Sequence, residues 1–396
     1  MPTNRSFFNR LKRSFNRIPL AWLQLSRQKT RFLVAIAGIA FADLLIFVQM
    51  GFEGALYDAA KAPYKNLNAD LIIANPQFQT LFAVRTTPRE RLYQLLSHPD
   101  VATVTPLYVA SSQWQNPETR QSRTILIWGS DPGAQAFTLP EINQNLVLLQ
   151  QLNTVLFDRA GRPEYGEIAA NFEKNGIVNV QINSAQVQVS GLFSIGSSFA
   201  ADGNAIVSDS TFMRIHPDRS PDKMEVGLVK LKPGANVERV KATIARAFPT
   251  DTRILTPLEW AQIEQDYWST TGIGFIFGIG VAMGFGVGVV IVYQILHSDV
   301  SDHLPEYATL KAIGYSNGYF ITMLLQEALI LACCGFIPSY VLSTIVYQIT
   351  YSATLLPIAM TTQRAVTVFI MTVTMCSLSG AIALGKLQKA DPADVF

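Results

Sequence analysis

Residues 272–296 read GIGFIFGIGVAMGFGVGVVIVYQIL, and residues 303–320, just beyond, read HLPEYATLKAIGYSNGYF. The first stretch holds no charged residue. At about 1.5 Å per residue its length exceeds the roughly 30 Å hydrocarbon core of a bilayer, so it reads as a membrane-spanning helix. The second is a polar island that ends where another apolar run begins. A plain connection between two helices needs only a few residues, so this longer one is expected to have structure of its own.

Working outward, three more apolar blocks cover 32–51, 321–346 (which carries Pro338) and 365–384. Apolar residues make up 49% of the chain and charged ones only 15%, against about 25% charged in soluble domains. The mean hydropathy is +0.23. The expected fold is a membrane protein with four transmembrane α-helices and a large α+β periplasmic domain between helices 1 and 2. The expected organisation is a basic cytoplasmic segment (1–31), the first span (32–51), the outer domain with a stalk-like end (52–271), the second span (272–296), a cytoplasmic loop (297–320), the third span (321–346), a short outer loop (347–364), the fourth span (365–384) and a cytoplasmic tail (385–396).

Orientation follows from Arg5, Arg10, Lys12, Arg13, Arg17, Arg27, Lys29 and Arg31, which precede the first span with no acidic residue among them. The positive-inside bias places this end in the cytoplasm, and four crossings return the other end to the same side. The basic region is long and the apolar core exceeds that of a cleavable signal, so an uncleaved anchor is expected. Cys333, Cys334 and Cys376 all fall within spans and are expected to pack rather than to bridge.

Within 52–271 the periodicity changes. VNVQINSAQVQVSG alternates at period two around a polar turn and predicts a hairpin. ADLIIA, SRTILIWGS and EVGLVKLK are further strands, and TPRERLYQLLSH and NVERVKATIARAF are helices. In the latter, Asn236 suits the N-cap, with Val237, Val240, Ile244 and Phe248 on one face. PLEWAQIEQDYWSTT, with Trp260, Tyr267 and Trp268, reads as a helix at the membrane interface that leads into the second span.

Catalytic constellations are not found. His98, His216, His297 and His303 form no HExxH pair, and Ser198 in GSSFA lacks the closing glycine of a nucleophile elbow. GAIALGK (380–386) has phosphate-loop spacing, but Leu387 stands where a magnesium-binding hydroxyl is needed and the stretch opens inside a span. The chain is expected to be a non-catalytic subunit with no cofactor of its own and no nucleic-acid partner. Asp43 and Glu327 lie within spans, where an ionisable group is costly, and facing a helix-bundle interior is their expected role. Gly280, Gly284 and Gly288, spaced by four, predict a close helix pair within the chain or across a homodimer.

In the polar island Pro305 suits a first helical turn, Glu306 favours the positive end of the helix dipole and Gly314 is placed to stop it. Tyr307, Leu310 and Ile313 are expected to share an apolar side that enters a groove on a cytoplasmic partner. The acidic flank of Asp299, Asp302 and Glu306 disfavours a helix resting on anionic lipid.

VYQILHSDVSDHLPEYATLKAIGYSNGYF resembles the cytoplasmic loop of FtsX-like and MacB-like permeases, and more narrowly of DevC-type permeases of cyanobacterial exporters. LAWLQLSRQKTRF, LNADLII, WSTTGIGFIFGIG and KADPADVF extend the resemblance along the chain, with Gly272 standing where the related pattern has Pro. The resemblance implies a homodimeric inner-membrane permease of an ABC exporter. A separate ATPase subunit, which binds the ATP and magnesium, would receive Glu306, Tyr307, Leu310, Lys311, Ile313 and Gly314. It further implies a periplasmic membrane-fusion protein and a TolC-like outer-membrane channel as partners, glycolipid as one cargo class, and transmission of motion as mechanism. An FtsX-like transmitter that controls a cell-wall hydrolase is the alternative, and a self-contained membrane enzyme a third reading.

Overall fold

The computed structural model describes residues 29–81, 85–198, 201–247, 251–270 and 272–389. They divide into two compact units, one within Met1–Gly54, Phe275–Ala353 and Ile358–Phe396, the other Ala55–Gly274 with Thr354–Pro357. The basic residues from Arg5 to Arg27 and the KADPADVF tail beyond Lys389 lie outside the described residues, as does Phe248.

The helical unit draws on four long helices, Lys29–Lys61, Gly272–Asp302, Asn317–Thr354 and Thr362–Lys389. Each contains a stretch long and apolar enough to cross a membrane. Their inward positions are small or slender: Ala35, Ile39, Ala42, Val292, Ala328, Leu331, Ala332, Met375 and Cys376 form one buried cluster. Large apolar residues such as Phe41, Ile276, Met283, Val341 and Ile370 face outward. An exterior greasier than the interior is what a lipid solvent requires, because in lipid the helices associate by close packing rather than by hydrophobic exclusion. Gly380–Lys386 lies inside the last helix, so its amides belong to the helical ladder and are not free to cradle a phosphate.

The other unit is built on a nine-stranded mixed sheet. Its strands are β1 (Leu71–Ala74), β2 (Val101–Gln115), β3 (Ser122–Ser130), β4 (Thr154–Asp158), β5 (Val178–Ile182), β6 (Ala185–Phe193), β7 (Asn204–Ser208), β8 (Val226–Leu231) and β9 (Arg253–Leu255). The spatial order is β9-β1-β8-β2-β3-β7-β4-β6-β5. β3–β7 and β4–β6 are parallel and the remaining pairs antiparallel. The alternating stretch forms the hairpin β5–β6, with Ile182 opposite Ala185 and Asn183 in the left-handed region at φ +52°, as a tight two-residue turn demands.

One buried cluster gathers Trp114, Val155, Phe157, Tyr165, Val189 and Val207, and a second gathers Tyr64, Phe78, Trp128, Phe137, Phe193 and Trp260. Residues Val237–Ala247 form a helix whose Val240 and Ile244 are buried, and Asn236 Oδ1 caps it by accepting the Arg239 N–H at 3.0 Å. The helix Pro257–Thr270 corrects one expectation. Trp260 and Trp268 are buried within this unit rather than presented to a membrane interface, since Trp260 packs on Tyr64 and Phe78 and Trp268 bonds Glu264. The path into the second long helix passes through Thr271, outside the described residues.

Candidate functional site

The polar island folds as a nine-residue helix, Leu304–Ala312, between two long ones. Pro305 lies in its first turn, where the missing N–H would have had no partner. His303 occupies the N-cap without a side-chain cap. Its Nδ1 instead lies 3.0 Å from the Asp299 carbonyl, so Nδ1 is the protonated nitrogen when that bond is made.

The other end is closed by backbone geometry. The Tyr315 N–H donates to the Leu310 carbonyl and the Gly314 N–H to the Lys311 carbonyl, both at 3.1 Å, with Gly314 at φ +105°. This is the paired 6→1 and 5→2 pattern that ends a helix on a left-handed residue. Glycine adopts that conformation without the Cβ penalty. The stop read from Gly314 is thus a specific bonding arrangement.

The loop carries its own small core. Tyr307 packs with Val300, Phe320, Met323 and Leu324, and Leu310 and Tyr319 lie partly against them. The Tyr307 and Phe320 rings are 5.8 Å apart and inclined at 66°. Tyr307 is therefore 2% exposed, whereas Ile313 is 71% exposed, which corrects the expectation of a shared outward apolar side. At about 100° per residue, positions 307, 310 and 313 fan over roughly 120° of the helix circumference. They pass from core to rim to solvent in that order. The outward surface is made of Glu306, Thr309, Ile313 and Tyr315, with Lys311 at its rim. Tyr315, which no periodicity in the sequence assigns to this face, joins it directly after the glycine turn at Gly314. Arg31 forms an ion pair with Asp302, joining the start of the first long helix to the end of the second.

Gly280, Gly284 and Gly288 face neighbours within the chain. A Cβ on Gly284 would meet Ile46 at 3.0 Å, one on Gly288 would meet Met375 and Ala42, and one on Gly280 would meet Gln49. Glycine at these positions lets the second long helix lie directly against the first, the close-approach use of small residues in membranes.

Asp43 and Glu327 are both buried, 0% and 1% exposed, but the structure does not bring them together. Asp43 accepts from Thr372 Oγ1 at 2.8 Å, and Ser339 Oγ stands 3.4 Å away, so Asp43 sits where three helices meet. Glu327 precedes Ser339 by twelve residues on the same helix, about 18 Å along its axis. Its Oε2 has no hydrogen-bond partner among the described residues, and the acidic side chain of Asp299 is a neighbour. Among the described residues no three His, Cys, Asp or Glu side chains are placed to hold a metal.

Residues 278–392 match the family of FtsX-like permease C-terminal domains, a span that contains the loop, Gly280, Gly284, Gly288 and Glu327. No curated protein matches the chain. Among solved structures, the periplasmic region of MacB from Actinobacillus actinomycetemcomitans aligns at 16% identity and TM-score 0.35, over 52% of this chain and 96% of that one. The extracellular domain of the noncanonic ABC-type transporter YknZ from Gram-positive bacteria aligns at 13% identity and TM-score 0.33, over 48% of this chain and 100% of that one.

Proposed function

We propose that this chain is the permease subunit of an ABC exporter, a passive membrane element driven by a separate ATPase subunit that binds the ATP and magnesium. The observation that carries the reading is the loop helix Leu304–Ala312. It is braced on an apolar core of its own, closed at Gly314 and left with Ile313 and Tyr315 facing out, inside the stretch that matches the permease family. A helix fixed at both ends and held from behind is stiff enough to take a push, and two exposed apolar side chains in a polar rim suit a shallow protein groove.

In this reading both ends of the chain face the cytoplasm of the inner membrane, two copies pair, and nucleotide-driven closure of the ATPase subunits moves the loop helices. The first two spans pass that movement to the outer unit. There a membrane-fusion protein and a TolC-like channel complete a tripartite DevC-type path for an exported cargo, with glycolipid as one class. The test is copurification of the ATPase subunit from membranes. Ile313→Asp is expected to abolish it while insertion and yield stay unchanged, because the substitution alters only an exposed side chain. Retention of the ATPase by that variant would remove the loop from the interface. Recovery of a cell-wall hydrolase in place of a fusion protein would turn the reading to the signalling alternative.

A further inference from the structure

Glu264 lies in the helix Pro257–Thr270 and is 2% exposed. Four donors reach its two oxygens. Oε1 accepts from Thr80 Oγ1 at 2.7 Å and Trp268 Nε1 at 2.8 Å. Oε2 accepts from the Tyr64 hydroxyl at 2.6 Å and the Leu81 N–H at 2.9 Å. The Tyr64 hydroxyl is held well above the ordinary phenol pKa, first by burial and then by the charge and bond of Glu264.

These donors come from three segments of the outer unit. Tyr64 follows by three residues the helix that ends at Lys61, through which the chain enters the unit. Thr80 and Leu81 belong to the connection after β1. Trp268 lies one turn further along the helix by which the chain leaves. Around the carboxylate, Tyr64 and Trp260 meet at 4.5 Å between ring centroids and Phe78 and Trp260 at 5.2 Å. Separately, Lys61 Nζ donates to Gln265 Oε1 at 2.8 Å.

A site that needed only filling would be served as well by an apolar residue of similar volume, because a buried carboxylate is expensive unless its oxygens are satisfied. What the carboxylate adds is a condition. Its burial is tolerable only while entry segment, connection and exit helix are all in place.

We infer that Glu264 is a positioning residue that locks the entry and exit segments of the outer unit into one body, so that displacement of either displaces both. The inference deepens the transmission reading above and, for its consequence in transport, rests on it. It can be tested on the full chain alone, in nanodiscs, by hydrogen exchange. In the wild type the amides of Tyr64–Asn66, of Leu81 and of Gln262–Trp268 are expected to open together. Glu264→Met keeps the volume and removes the four bonds. It should raise exchange in all three segments by about tenfold or more and let them open independently. The milder Glu264→Gln should fall between, which keeps the test informative should the Met variant fold poorly.

In a background without native cysteines, Lys61→Cys and Gln265→Cys bridged by a short bis-maleimide should restore joint opening in the Met variant. Joint opening in the unbridged Met variant, or failure of the bridge to restore it, would overturn the assignment and leave Glu264 as core filling. A second arm adds the ATPase with nucleotide. The wild type should then show nucleotide-dependent exchange in both segments, and the Met variant in the entry segment alone. A wild type that never responds to nucleotide would bring down the transport reading while the result on the isolated chain stood.

Discussion

The two units solve opposite problems. In the sheet unit, the buried carboxylates Asp158, Glu225 and Glu264 have partners on both oxygens. Asp158 is entirely buried and accepts from the N–H groups of Ala160, Ile195 and Gly196 and from Asn204 Nδ2, at 2.8 to 3.1 Å. Asn204 passes the network on by accepting from Trp128 Nε1 at 3.1 Å. In the helical unit the interior is mostly small side chains in close contact, and the Glu327 carboxylate keeps an oxygen without a partner among the described residues. The difference teaches where each unit is brittle: the first through its buried networks, the second through the volume at its helix crossings.

The largest effect that would sharpen this contrast is in the sheet unit. Asp158→Ala takes the acceptor away from four donors, the half-buried N–H groups of Ala160, Ile195 and Gly196 and the Nδ2 of buried Asn204. The expected loss is about 3–5 kcal/mol, the range for breaking a buried charged network. Urea unfolding of the full chain in detergent, followed by tryptophan fluorescence, reports it. With Trp22 replaced by Phe, the remaining tryptophans, Trp114, Trp128, Trp260 and Trp268, all lie in the sheet unit, and none of the long apolar helices carries one. A midpoint unchanged from wild type would mean that water replaces the carboxylate freely, and the contrast would fail.

The next effect is smaller and belongs to the helical unit. Gly288→Leu places a side chain where Met375 and Ala42 already stand, whereas Gly286→Leu points into open space with nothing within 4 Å. The former should cost about 1–3 kcal/mol, the usual range for overpacking, and the latter almost nothing. Heating with a thiol-reactive dye, after replacing Cys333 and Cys334, reads the buried Cys376 as the bundle opens. Equal melting of the two variants would show that the crossing is loose and that glycine spacing is incidental.

The same contrast explains what the sequence made legible. Spanning helices announce themselves by composition alone, since lipid demands a long uncharged run. The loop helix showed at both ends because Pro305 and Gly314 act locally. Tyr307 was misplaced because periodicity gives angular positions and not the direction in which the body of the protein lies. In the sheet unit, alternation revealed β5 and β6, but TVLFD and NAIVS, now β4 and β7, are buried at every position and so offer no period to read. The long strand β2 was hidden by Pro106, which pairs opposite Gly227 in its interior, a place where proline ordinarily argues against a strand. Glu264 left no local sign at all, because three of its four partners are 183 to 200 residues away in the chain.

The smallest effect concerns pH and is read in the sheet unit. His216 is buried against the Phe212 ring at 4.8 Å, with Ser112 Oγ 2.8 Å from its Nε2. Burial first, and then the Arg219 charge, hold its pKa below the ordinary value, against a weaker pull upward from Asp218. The sign follows from linkage. Below the ordinary histidine value of about 6.5 the unfolded chain takes up a proton that the folded one refuses. Stability is therefore intact above that value, falls as pH drops through it, and levels off once the folded histidine also charges. Glu225, held above the ordinary carboxylate value by burial although Val109 N–H and Arg219 oppose it, works in the other direction. Its folded form takes a proton first, so it adds stability as pH falls further. Fluorescence-detected unfolding between about pH 7.5 and pH 5.5 should show a downward slope in wild type that flattens in His216→Gln, which keeps a hydrogen-bonding group beside Ser112 without a titrating one. Identical slopes in the two proteins would place the pH sensitivity elsewhere and show that charge at His216 is tolerated in the folded unit.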